Sequence, residues 1–160
     1  MAIDAVANGA GPMLFPECVV ALNRAIATCF DAHATYARLA GWMQRLHHPD
    51  LAAFINSEAA HRYRLATRLQ EQVRQLGHLP ESHGETPPSA HVLATAWKRL
   101  HESAREAVLD TYARQEAAIL EQLTSAQRYD LPKHTQHVLQ QCRHEIYAAH
   151  HRARALGAPL

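Results

Sequence analysis

Leu22-Asn23-Arg24-Ala25-Ile26-Ala27-Thr28-Cys29-Phe30-Asp31-Ala32-His33-Ala34-Thr35-Tyr36-Ala37-Arg38-Leu39-Ala40-Gly41-Trp42-Met43 decides the fold class. Within it Leu22, Ile26, Cys29, His33, Tyr36, Ala40 and Met43 step by 4, 3, 4, 3, 4 and 3 residues. That spacing keeps one stripe on one side of a helix, as in helices packed side by side. Prolines bound the stretch and the rest of the chain. They fall at 12, 16, 49, 80, 87, 88, 132 and 159, leaving proline-free runs at 17–48, 50–79, 89–131 and 133–158. Proline is costly inside a helix but fits its first turn, so each run predicts one helix: 16–46, 49–76, 89–126 and 132–156. Gly77 and Gly157 each follow a helical run and read as helix stops.

The other runs carry matching faces. The second aligns Leu51, Phe54, Ile55, Glu58, Leu65, Leu69, Val73 and Leu76. In the third, Leu93, Trp97, Leu100 and Ala104 drift before Leu109, Tyr112, Glu116, Ile119 and Leu123 resume, which predicts a break near 102–107. The fourth buries Val138, Leu139, Cys142, Ile146, Ala149, Ala153 and Leu156. No alternating Val/Ile/Thr stretch suggests a strand. The expected fold is all-α, an antiparallel four-helix bundle over 16–157. Residues 1–15 read as a flexible Ala/Gly tail and 78–88 as a linker.

Composition narrows the function classes. The 160 residues are 48% hydrophobic and 19% charged, enough apolar material for a core and unlike a disordered chain. Sixteen Lys and Arg against 15 Asp and Glu give a net charge of +1, so neither nucleic acid nor an acidic surface is an expected partner. No apolar run approaches the roughly 18 residues of a membrane helix. Residues 1–15 lack a basic leader and contain Asp4, unlike a secretory signal. Three cysteines, Cys18, Cys29 and Cys142, do not suggest a disulfide framework, so the expected compartment is the cytoplasm. Cys29 and Cys142 read as small core residues, and Trp42 and Trp97 as packing groups. No phosphate loop, C-x-x-C pair or G-x-S-x-G elbow points to a nucleophilic enzyme.

Histidine stands out, at 13 residues, and so do polar groups set in apolar stripes. His33 sits in the first stripe, Glu58 in the second with His61 one turn on, and Glu116 in the third. Glu145 and His150 flank the fourth on opposite sides. His33 and Glu116 lie 16 residues before Pro49 and Pro132, while Glu58 and Glu145 lie nine and 13 residues after them. The four groups therefore fall at comparable depths. A buried carboxylate needs a cation, a donor or a metal. Glu58-Ala59-Ala60-His61 is an E-x-x-H step, which projects two ligands to one side of a helix.

Leu22-Asn23, Asp31-Ala32-His33-Ala34-Thr35-Tyr36, His48-Pro49-Asp50-Leu51, Glu58 with Arg62, and Leu76-Gly77-His78-Leu79-Pro80-Glu81-Ser82 form an ordered set of short motifs. It continues through Ala96-Trp97, Gln115-Glu116-Ala117, Ala148-Ala149-His150 and Arg154-Ala155-Leu156. In order and spacing, over about residues 20–156, the chain resembles a family of small bacterial ferritin-like bundle proteins of unknown function. That resemblance implies a ferritin-like bundle and no settled activity. Ala32 stands where the family carries glycine.

Metal binding is the first functional expectation: iron, manganese or zinc held by His33, Glu58, His61, Glu116, Glu145 and His150. With iron and an open position, an oxidase or peroxidase-like activity would follow. The set departs from a complete two-metal site, because the first helix offers His33 in place of Glu, and Tyr147 stands three residues before His150. The alternative is a non-enzymatic bundle, a stress-associated interaction module or homodimer with a metal-free polar layer. There Glu58 sits in a polar layer with Arg62, four residues on, and with His33 as a hydrogen-bonded core histidine, while Glu116 pairs with Arg62 or with a histidine. His137, His144 and His151 fall opposite the apolar face and read as a solvated stripe.

Overall fold

The computed structural model describes residues 16–81 and 90–157, except the side chains of 101 and 102. The expected tail at 1–15 and the linker residues 82–88 lie outside the described residues. The described chain is helical, with no strand among the described residues. The helices are α1 (Glu17–Arg45), α2 (Pro49–Gln75), α3 (Ala90–Gln127) and α4 (Lys133–Ala155).

Local chemistry sets these bounds. Pro16 and Pro132 precede α1 and α4, and Pro49 opens α2 where its missing N–H costs no helical bond. Gly77 and Gly157 follow α2 and α4 with φ of 83° and 97°, the left-handed backbone that ends helices. The α1–α2 turn is tight enough to hold His47 at φ 61°. The expected break in α3 falls at Ser103, whose φ of −154° and ψ of 100° are not helical.

The stripes become the core. Leu22, Ile26, Cys29, Tyr36, Ala40 and Met43 of α1 are buried, as are Leu51, Ile55, Leu65, Leu69 and Val73 of α2. Leu109, Tyr112, Ile119 and Leu123 of α3 meet Val138, Leu139, Cys142, Ile146, Ala149 and Ala153 of α4. Burying each large apolar side chain favours folding by roughly 1.5–3 kcal/mol. The stripes are less buried at the rim: Trp97 packs on Trp42 but is 52% exposed, and His33, Phe54, Leu76, Leu93, Ala104 and Leu156 are only half-buried.

Each helix packs on two others. α1 lies against α2 and α3, and α4 lies against α3 and α2. Side-chain pairs fix the directions. His33 of α1 meets Ala59 of α2, while Phe30 meets Tyr63 farther along, so the two helices run oppositely. Tyr36 meets Tyr112 and Trp42 meets Trp97, so α3 runs opposite to α1. Glu58 meets Arg152 and Gln72 meets Thr135, so α4 runs opposite to α2. After α2, the Glu81 N–H donates to Asn23 Oδ1 at 3.4 Å, near the start of α1. Glu81 thus lies near the start of α1, whereas Trp97 packs near its end.

Candidate functional site

Two carboxylates are buried between the helices, and a guanidinium lies between them. Arg62 of α2 is 1% exposed, as are Glu58 and Glu116. Arg62 Nε donates to Glu116 Oε1 at 2.8 Å, and its terminal nitrogen donates to Glu116 Oε2 at 2.6 Å. That two-pronged pairing suits the planar guanidinium. The same terminal nitrogen reaches Glu58 Oε2 at 3.0 Å, one turn back on its own helix. Tyr36 of α1 donates its hydroxyl to Glu116 Oε1 at 2.6 Å. Arg152 of α4 donates to Glu58 Oε1 at 3.1 Å from a half-exposed position, its stem crossing the helix flank. His61 Nδ1 donates to the same oxygen at 3.1 Å. All four carboxylate oxygens accept at least one hydrogen bond. Two anions face two guanidiniums, so the layer is balanced by the protein's own charges.

The electrostatics follow. Burial alone would lower the Arg62 pKa, but Glu116, with help from Tyr36 and Glu58, raises it above the ordinary arginine value. Burial, then the Glu116 charge, pushes the Tyr36 hydroxyl well above its usual range, so it remains a donor. Cys29 and Cys142 lie near this layer. Burial is the largest cause holding both thiols up, Cys142 to about 11.

The six residues singled out from sequence separate into groups. Glu58 and Glu116 come together through Arg62, and His61 joins them from the edge at 40% side-chain exposure. His33 does not point into this layer. Its Nδ1 donates to the Ala59 carbonyl at 2.9 Å, and its ring lies 5.3 Å from that of Tyr63. Glu145 lies on the surface and pairs with Arg68 at 2.6 Å. It lies too far round α4 to face inward. His150 lines a groove of about 230 Å³ between α3 and α4, with Glu116, Tyr147 and Arg154 among its walls. Among the described residues, no group of three or more His, Cys, Asp and Glu side chains could hold a metal ion. Tyr36 and Arg152 were not singled out from sequence. Tyr36 reads as an apolar seam position until its hydroxyl is placed, and Arg152 sits beside buried Ala149 and Ala153 as a flanking charge.

No helix among the described residues is long and apolar enough to cross a membrane. No curated protein and no solved structure matches the chain. Residues 17–128 match the family described as Domain of unknown function (DUF2383). That span runs from the start of α1 to just beyond α3, and it contains Tyr36, Glu58, Arg62 and Glu116, whereas Arg152 on α4 lies past it. The chain therefore belongs to the DUF2383 family.

Proposed function

We propose that the chain is a ferritin-like, antiparallel four-helix bundle whose central polar layer is closed by arginine rather than by a metal, and that it serves as a non-enzymatic structural or interaction module. The ferritin-like reading is supported by the helix neighbours and by the placement of Glu81 near the start of α1 and Trp97 near its end. The metal-free reading rests on one observation above all: Arg62 stands between Glu58 and Glu116, where an ion shared by both carboxylates would have to sit. A divalent cation placed there would face a buried guanidinium, which cannot deprotonate.

A second reading has one observation in its favour. His61 is directly on Glu58, so the E-x-x-H step does bring its two side chains together. Iron, manganese or zinc at Glu58 and His61, with Glu116 and His150 nearby, would require Arg62 to swing out. Metal analysis of protein purified without an affinity tag separates the two. The arginine-closed layer predicts far less than one equivalent of any transition metal per chain. A stoichiometric metal that is lost in a Glu58→Ala, His61→Ala double variant would establish the second reading instead.

A further inference from the structure

Near the end of α1, Trp42, Arg45, Leu46, Trp97 and Leu100 line a cleft of about 320 Å³. It shares no residue with the polar layer. The break at Ser103 lets the first part of α3 lie near the end of α1, so that Trp97 meets Trp42 edge-on at 5.1 Å. The walls are apolar but not closed: Trp97 is 52% and Leu46 45% exposed. Large apolar side chains left open together mark a binding surface more often than single exposed ones do. The volume falls at the lower end of small-molecule pockets, roughly 300–1,000 Å³.

The charge around the cleft selects the ligand. Arg45 lines it and also lines an adjoining hollow with Ala34, Ala37, Arg38 and Gly41, where the missing side chain of Gly41 leaves open space. Among the described residues, Arg38 and Arg45 form no ion pair, whereas Arg99 and Arg105 on α3 are paired with Asp110 and Asp50. An apolar slot thus opens beside two cations not neutralised by described carboxylates. A symmetric second copy on this face would bring Arg38 and Arg45 against themselves, which disfavours self-association there.

We propose that this cleft binds amphipathic organic anions of the medium-chain alkyl carboxylate class. The alkyl tail lies between the two tryptophans, Leu46 and Leu100, and the carboxylate meets Arg45, with Arg38 beside it. Apolar burial supplies the affinity, and the arginine fixes the orientation.

The chain has two tryptophans, and both line the cleft, so their fluorescence reports on it directly. Titration with decanoate below its micelle concentration is expected to give a saturable change in emission, with the far-UV CD spectrum unchanged. Arg45→Gln should weaken binding about tenfold, the effect of removing roughly 1.4 kcal/mol. Arg45→Glu should weaken it further. Trp97→Ala, followed by calorimetry, should abolish binding and still fold, because that side chain is half-exposed. Decyltrimethylammonium, with a similar tail and the opposite charge, should bind far more weakly than decanoate. No saturable change with the wild type, equal affinity in Arg45→Gln, or equal binding of the cationic amphiphile would each overturn the proposal. None of these outcomes bears on metal at Glu58 and Glu116, so the two readings fail separately.

Discussion

Arg62 is the residue on which the interior depends. Removing one partner of a buried ion pair leaves the other charge uncompensated and costs roughly 3–5 kcal/mol, whereas replacing the whole set by neutral groups costs far less. Arg62→Met should therefore destabilise the protein by about that amount in chemical denaturation. Adding Glu58→Gln and Glu116→Gln to it should recover much of the loss. If the single change costs under about 1 kcal/mol, the layer is weaker than its geometry implies. The two buried tyrosines offer a second comparison. Tyr36 donates to a carboxylate, and Tyr36→Phe should cost roughly 1.5–3 kcal/mol. The Tyr112 hydroxyl is buried near Arg62 with no hydrogen bond of good geometry among the described residues, so Tyr112→Phe should cost less than Tyr36→Phe. A larger loss for Tyr112→Phe than for Tyr36→Phe would contradict this assignment. At this scale the sequence was partly legible. Glu58 and Glu116 stood out because carboxylates interrupt apolar stripes, and Arg62 followed from its i, i+4 spacing. Tyr36 and Arg152 did not, because a tyrosine in a stripe and an arginine on its flank are both ordinary. His33 and Glu145 misled because periodicity gives a helical angle but not where the side chain ends. His33 turns to a neighbouring carbonyl, and Glu145 turns to a surface arginine.

At the scale of elements, the helix ends were the most legible feature, because proline and glycine act through backbone geometry and need no tertiary context. Pro16, Pro49 and Pro132 mark three starts, and Gly77 and Gly157 mark two stops. The break in α3 was legible too, since an apolar stripe that drifts round a helix cannot stay on one core. What the stripe could not show was that the part before Ser103 leaves Trp97 half-exposed. The stops make a direct prediction. Gly77 holds φ at 83° in open space, so a side chain there meets no atoms and only the backbone strain remains. Gly77→Ala should cost about 1–2 kcal/mol in thermal or chemical unfolding. A neutral or stabilising result would mean the helix can end without the left-handed residue.

For the whole molecule, the described residues form an apolar core crossed by a charged layer, and the pH response should reflect the groups buried there. Burial raises the Cys142 thiol from 9.0 to about 11, so the folded state keeps a proton that the unfolded chain releases. Stability from this group is fully present below pH 9 and is lost as pH rises through 11, for a total on the order of 2–3 kcal/mol. Cys29 and Tyr36 are raised in the same direction and extend the loss to higher pH. Denaturation midpoints should therefore fall between pH 9 and 11, the window set by Cys142. Cys142→Ala, compared with its own neutral-pH value, should lose less over that window. A pH-independent midpoint would mean that the thiols are not sealed from water. The most direct test of the arginine-closed layer is thermal unfolding of untagged protein at neutral pH with excess Fe(II) under anaerobic conditions, Mn(II) or Zn(II). Any ligand that binds only the folded chain stabilises it, by about 2.7 kcal/mol at a hundred times its Kd. With Arg62 between Glu58 and Glu116, none of the three ions should raise the melting temperature. A rise with any of them that disappears in the Glu58→Ala, His61→Ala double variant would place a metal in the core and contradict the account.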